Sequence, residues 1–244
     1  MSFLQDHPFA VEAHFKSSTV LTFALPKVDL ESFIPPCLEL DSFQDKWAFL
    51  AIAMVETKHL RPKGFPKLLG NDFFLIGYRI FVRYTNSRGM RLRGLYILES
   101  QTNKKKMEYL GNLFTHYQYS TTDIGVQNEL KEKRISSTGS AFDIRINTTT
   151  EYPELPSSSP FSNWREARRF AGPLPFTFTF KEDKKQVLII EGVRQNWTPQ
   201  PLQVEAFHFG FLERKGLEHA RLANAFEVKN IPYYWKKGQL DKWK

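Results

Sequence analysis

Between Phe73 and Tyr119 the chain sets Arg79, Arg83, Arg91 and Arg93 among Tyr78, Tyr96, His116 and Tyr117, in segments that alternate apolar and polar residues. A guanidinium in an apolar strand costs free energy unless it faces water or an anion. Its planar fork of donors matches a carboxylate or phosphate at two points. The chemistry on offer is anion recognition, with phenol and imidazole groups close by for hydrogen bonding or proton transfer. In Gly77–Tyr84, strand periodicity puts Gly77, Arg79, Phe81 and Arg83 on one face and Tyr78, Ile80, Val82 and Tyr84 on the other. In the return strand, Arg91, Arg93, Leu95, Ile97 and Glu99 alternate with Leu92, Gly94, Tyr96 and Leu98. Arg79 is the candidate anchor of an anionic ligand, with Tyr96, Glu99, His116 and Tyr117 as further contacts. Two readings stay open. Arg79 points into an interior pocket, or it pairs with Glu99 across the hairpin while Arg83, Arg91 and Arg93 face water near the turn. A one-residue change of register exchanges the faces.

Other chemistry is thinner. His116 and Tyr96 are the candidate proton-transfer groups, although a histidine among aromatics is more often a packed, hydrogen-bonded residue. Two Glu-x-x-His spacings occur, Glu56/His59 and Glu205/His208. On paired helices such spacings build di-iron sites. Both fall in or beside strand-like segments, where residues three apart face opposite ways, so no metal is expected. Cys37 follows Pro35-Pro36 with nothing nearby to lower its pKa, and reads as a small core residue. Phosphate-cradling glycine loops, serine elbows and His-Glu-x-x-His helices do not occur, and no cofactor is implied.

These residues need a β scaffold. Phe73–Tyr84 and Met90–Ser100 form a hairpin around Asn86-Ser-Arg-Gly89, where glycine can take a positive φ. Leu174–Phe180 and Gln186–Val193 form a second one around a charged KEDKK turn. Further strands are expected at Val20–Ala24, Lys46–Glu56 (which could also be a helix), Leu113–Ser120, Ser140–Thr149, Val204–Leu212 and Ala223–Val228. Val28–Phe33 and Asn163–Phe170 read as short helices, Asn163 being a good cap. Lys58–Gly70 is a basic, Pro/Gly-bearing loop that could cover a pocket entrance. The fold class is mainly β: a closed or conical antiparallel barrel with a few short peripheral helices. One domain spans residues 1–244, with 151–159 as an internal linker or lid hinge.

At 244 residues and 41% hydrophobic, the chain can bury a core without disulfide or metal staples. A single cysteine and an N-terminus without a basic-then-apolar pattern place it in the cytoplasm. Trp47–Val55 is too short to span a bilayer, so no membrane partner is expected. The net charge of +8 raises nucleic acid as a partner. The cations are scattered among 26 acids, and the runs Lys104-Lys105-Lys106 and Lys131–Arg134 read as solvated loops, which argues against it. The expected partner is a small anionic molecule, and a homo-oligomer stays open.

Order and spacing resemble the YqjF-like family of uncharacterised proteins, within the acetoacetate decarboxylase-like superfamily. The matching segments are IPPCLELDSFQDKWAFLAIAMVE, FFLIGYRIFVRY with RGMRLRGLYILES, AFHFGFLERKG with Arg214 as the late arginine, and NIPYYW. The resemblance covers about Leu25 to Trp235 and implies an antiparallel β-barrel with an interior pocket. It also implies a lysine that forms a Schiff base, activated by a neighbouring lysine. The corresponding stretch, about Met107–Tyr119, has none, and Lys104–Lys106 precede it. Leu75 stands where related sequences place a carboxylate. Acetoacetate decarboxylation itself is therefore disfavoured. The leading expectation is a binding barrel for a carboxylate-bearing ligand. The alternatives are a lyase or decarboxylase-like enzyme without a Schiff-base lysine, and a structural or partner-binding domain.

Overall fold

Trp47–Val55, which by composition could be strand or helix, is strand and is buried almost throughout. The computed structural model describes residues 2–151, 153–170, 174–195 and 197–243; Tyr152, within the expected linker, lies outside them. The strands are β1 (Val11–Pro26), β2 (Glu39–Leu40), β3 (Trp47–Pro62), β4 (Asn71–Thr85), β5 (Arg91–Thr102), β6 (Tyr119–Thr121), β7 (Gly125–Asn128) and β8 (Glu132–Ser137). They continue with β9 (Phe142–Asn147), β10 (Phe176–Lys181), β11 (Gln186–Arg194), β12 (Gln200–Pro201), β13 (Gln203–Phe209), β14 (Arg221–Trp235) and β15 (Gln239–Lys242). The helices are α1 (Ser2–Gln5), α2 (Lys27–Glu31), α3 (Lys105–Phe114), α4 (Trp164–Ala167) and α5 (Gly210–Arg214).

The main sheet runs β14-β1-β3-β4-β5-β10-β11 and returns to β14 through Gly192↔Trp235, Val193↔Tyr234 and Arg194↔Tyr233. These seven strands make a closed ring. Its inner face carries Phe15, Val20, Ala51, Ala53, Val55, Phe81 and Leu95. Its outer face carries Phe23, Ile52, Met54, Ile76, Tyr78 and Ile80, covered in part by the sheet β13-β9-β8-β7 through Ile135, Phe142, Ile144 and Phe209. Each large apolar side chain buried in this way contributes about 1.5–3 kcal/mol. Next to Asp41, the ring interior is filled by stacked and edge-on rings of Phe43, Phe49, Phe81, Phe161 and Phe170. Asn163 caps α4 by accepting from the Glu166 amide.

Several expectations need correction. Leu113–Ser120 is not a strand: α3 runs to Phe114, and only Tyr119–Thr121 pairs. Met107, Leu110, Gly111 and Phe114 recur at helical spacing, a period masked by the aromatic run that follows. Val204–Leu212 divides into β13 and α5, and Lys131–Arg134 leads into β8. The Lys58–Gly70 loop begins only after Pro62, because β3 carries on beside β1. The ring is also not wholly antiparallel. β10 runs parallel to β5, with Thr177 opposite Leu95. Gly94 permits this contact, since a Cβ there would lie 2.5 Å from the Phe176 carbonyl oxygen.

Candidate functional site: an arginine-bearing cavity

Inside the ring lies a cavity of about 130 Å³, walled largely by apolar side chains, with Val, Leu, Ile, Ala and Phe prominent among them. Arg79 projects into it from β4. Protein surrounds its guanidinium on every side, yet the side chain keeps free surface, and that surface faces the cavity. Its Nε is buried and has no hydrogen-bond partner. No carboxylate pairs with it among the described residues, and the lining contains no aspartate, glutamate or lysine. Desolvation lowers its pKa, but an arginine starts so high that it stays charged. A positive charge held in an apolar cavity without an acidic partner costs free energy.

Local sequence aims this side chain. A Cβ on Gly77 would lie 2.8 Å from Arg79 Nε and 3.0 Å from Nη2, so the guanidinium folds back over a position that only glycine leaves free. Opposite it, β5 is bulged. Tyr78 faces Glu99 but Arg79 faces Ile97, so Leu98 is the extra residue. The bulge exchanges the faces of β5 beyond it. Leu95 and Ile97 line the cavity, then Ser100, while Glu99 turns outward to Arg214 at 3.3 Å.

Tyr117, Tyr119 and Tyr233 stand close enough for their charge states to couple to that of Arg79. Tyr117 shares a hydrogen bond with Thr177 Oγ1 at 2.8 Å. Asn112 of α3 clasps the backbone of Tyr119, donating to its carbonyl and accepting from its amide, both at 2.8 Å. Gly111 leaves room for the Tyr119 ring, and Gly192 for the Tyr233 hydroxyl. Burial raises all three phenols, Tyr119 to about 12 despite the pull of Arg79, so they remain protonated donors. With Arg79 they line the cavity with N–H and O–H groups.

Of the sequence candidates, the cavity brings together Arg79 and Tyr117. Tyr96 packs into the outer core. Glu99 is removed by the bulge, so it cannot pair with Arg79 across the hairpin. His116 sits outside the cavity, its Nε2 3.1 Å from an Asp6 oxygen. Arg83 and Arg93 are only partly exposed. Both grip the fully buried Asp41, each with an Nε–oxygen distance of 2.6 Å. Arg91 pairs with Glu39. Glu56 binds Lys16 and Lys58, His59 lies beside Asp72, Glu205 binds Asn147, and His208 lies beside Glu213. No group of three metal-ligating side chains occurs among the described residues. Cys37 is buried, which raises its thiol to about 11.

Sequence reasoning missed Tyr119, Tyr233, His7 and Trp197. The alternation Ile231, Tyr233, Trp235 in β14 carried a usable signal for Tyr233. His7 and Trp197 lie outside any periodic segment. No described helix is long and apolar enough to cross a membrane.

No curated protein matches the chain by sequence. Solved structures match its fold. Acetoacetate decarboxylase from Legionella pneumophila subsp. pneumophila str. Philadelphia 1 aligns with a TM-score of 0.64 at 9% identity, over 96% of this chain and 88% of that one. An acetoacetate decarboxylase-like enzyme from Sphingomonas wittichii RW1 gives 0.60 at 8%, over 99% and 95%. The enduracididine biosynthesis enzyme MppR complexed with pyruvate gives 0.60 at 10%, over 96% and 90%. At such identities the likeness establishes the fold alone. At the level of sequence, residues 12–241 match DUF2071, uncharacterized conserved protein (COG2071), and with nearly its whole length matched the chain belongs to that family.

Proposed function

We propose that this protein binds a small carboxylate-bearing molecule inside the strand ring, with Arg79 as the anchor. The observation that supports this most is the enclosed guanidinium without an acidic partner. Burying such a charge is a net cost to the fold unless a ligand brings the balancing one. Tyr117, Tyr119 and Tyr233 offer further donors to the same anion. A cavity of about 130 Å³ takes a compact acid of a few carbons, and the apolar walls take its carbon chain. Pyruvate in the MppR complex is a molecule of that size and charge in a protein of this fold. We place the activity in the cytoplasm, consistent with the lone reduced Cys37.

The test is thermal stability against a panel of small carboxylates, keto acids and acyl phosphates, for wild type and Arg79→Met. A ligand at a hundred times its Kd contributes about 2.7 kcal/mol, or about 5–10 °C for a chain of this length. The expected result is a rise in wild type that vanishes in the variant. An equal rise in both proteins would remove Arg79 from the site.

A second reading is a lyase or decarboxylase-like reaction. Phenols and a cation around a bound acid favour it, as does the enzymatic character of the fold's neighbours. The lining provides no amine for a Schiff base, so proton transfer would have to use other groups. Release of carbon dioxide from acetoacetate or another keto acid by wild type, lost in Arg79→Met, is the outcome that would favour it.

A further inference from the structure

The cavity is rich in donors, and among the described lining residues it has no anionic acceptor. Arg79, Trp197 and the tyrosines supply N–H and O–H groups, and the lining includes no carboxylate. Among the described lining residues one nitrogen base is present, His7. Its side chain is 6% exposed, and Nδ1 is buried without a hydrogen-bond partner. Desolvation holds its pKa down at about 4, against a weaker upward pull from the carbonyls of His7 and Phe9. The ring is therefore neutral at physiological pH, with one N–H and one lone pair.

The placement of His7 is built rather than incidental. The segment from Ser2 to Phe9 lies across α3 and β10 as a strap. Gln5 Nε2 donates to the Asn112 carbonyl at 2.9 Å, and the Phe9 ring meets Phe114 edge-on at 5.2 Å. Asp6 is the latch. Its two oxygens lie 2.7 and 2.6 Å from Lys181 Nζ, and His116 approaches the first of them. The Gly238 amide donates to the His7 carbonyl at 2.9 Å, and a Cβ at Gly238 would lie 2.2 Å from the Asp6 carbonyl oxygen. His7 itself has a φ of 54°, a left-handed backbone that costs free energy in a residue with a side chain. The fixed strap holds an imidazole against the cavity at that cost.

We propose that His7 is a specificity-determining residue of the cavity, whose ring nitrogen accepts a hydrogen bond from a hydroxyl on the acid held by Arg79. This rests on the binding reading above. It narrows the ligand class to small hydroxy acids, because His7 is the one nitrogen base among the described lining residues and its Nδ1 has no partner within the protein. His116, placed on the latch, positions the strap rather than touching the ligand.

The experiment compares butyrate with 2-, 3- and 4-hydroxybutyrate by titration calorimetry, for wild type, His7→Leu, His7→Asn and Arg79→Met. One neutral hydrogen bond is worth about a three- to tenfold difference in affinity. Wild type should prefer one hydroxybutyrate over butyrate by that factor. His7→Leu should lose the preference while still binding butyrate, and Arg79→Met should bind neither. The ring ¹⁵N signals of His7 should move with the preferred hydroxybutyrate and stay in place with butyrate. Equal affinity for butyrate and all three hydroxy acids in wild type would overturn the role of His7 and leave Arg79 standing. A preference that survives in both His7 variants would do the same. Wild type that binds none of the four acids, with unmoved His7 signals, would remove the anion cavity itself and this role with it. Should His7→Leu fail to fold, His7→Asn and the wild-type ¹⁵N shifts carry the decision.

Discussion

Two arginine sites lie on one hairpin and have opposite fates. Arg83 and Arg93 close on Asp41, a carboxylate with no exposed surface, so each has an acidic partner within the protein. Two residues before Arg83 on the same face comes Phe81, and two before that Arg79, which meets no acid at all. The paired site pins β2 and the Phe170 segment to the hairpin. Arg93 donates to the Arg169 carbonyl at 3.2 Å and lies 5.5 Å from the centre of the Phe170 ring. Among the described residues Arg79 makes no ion pair, and its Nε has no hydrogen-bond partner. Burial alone does not separate structure from function here, since Asp41 at one site and the Arg79 guanidinium at the other are both enclosed by protein. Whether the charge finds its partner inside the chain does.

The comparison breaks most visibly at Asp41. Asp41→Ala leaves two guanidinium groups facing each other across the hairpin, and such a change costs about 3–5 kcal/mol. Denaturant unfolding should show it, and a loss below about 1 kcal/mol would mean the triad is no more than a surface contact. The next effect belongs to His7, the other unpartnered group of the cavity. Its pKa in the fold is about 4, below the ordinary 6.5 of the unfolded chain. The unfolded state therefore takes up a proton first as pH falls. Stability is complete above about 6.5 and is lost towards about 4, by about 3 kcal/mol. His7→Leu should flatten that window. Asp6 acts lower: burial raises its carboxyl, but Lys181 and His116 outweigh it, so its contribution is lost only as pH falls below the usual carboxylate range.

The legible part of this molecule was its alternation. The faces of β4 follow period two, which alone sets Gly77, Arg79 and Phe81 on one side, whereas the unbroken apolar run of β3 fits a buried helix as well as a strand. Glu99 was misplaced because a bulge at Leu98 has no local sequence signature, and one extra residue turns the strand over. Arg83 and Arg93 were read as solvated because Asp41 is more than forty positions away in sequence, in a two-strand bridge between loops. His116 drew attention as a histidine among aromatics, whereas His7, in a strap with no period, is the one that reaches the cavity. Long-range contacts and irregular backbone set these positions, and neither is written in a window of ten residues.

Arg79→Met tests the unpaired side directly. Replacing an unpartnered guanidinium by an apolar chain of similar length removes a desolvation cost and no contact, so the free protein should be as stable as wild type or about 1–2 kcal/mol more stable. A loss of stability would show that Arg79 has a structural partner after all. The smallest effect on the fold, and the sharpest on the ligand, is expected at Gly77. A Cβ there falls within 3.0 Å of two guanidinium nitrogens and meets no backbone. The atoms that must yield are the far end of a flexible side chain, so Gly77→Ala should change stability by less than about 1 kcal/mol in either direction. The displaced fork would no longer present its donors to the same point, and carboxylate affinity should fall about tenfold. Adding Arg79→Met to Gly77→Ala should weaken binding no further than Arg79→Met alone, because both act through one group. Undiminished binding in Gly77→Ala would mean that the orientation of Arg79 does not matter, and the cation would then act as a diffuse charge rather than as a two-point anchor.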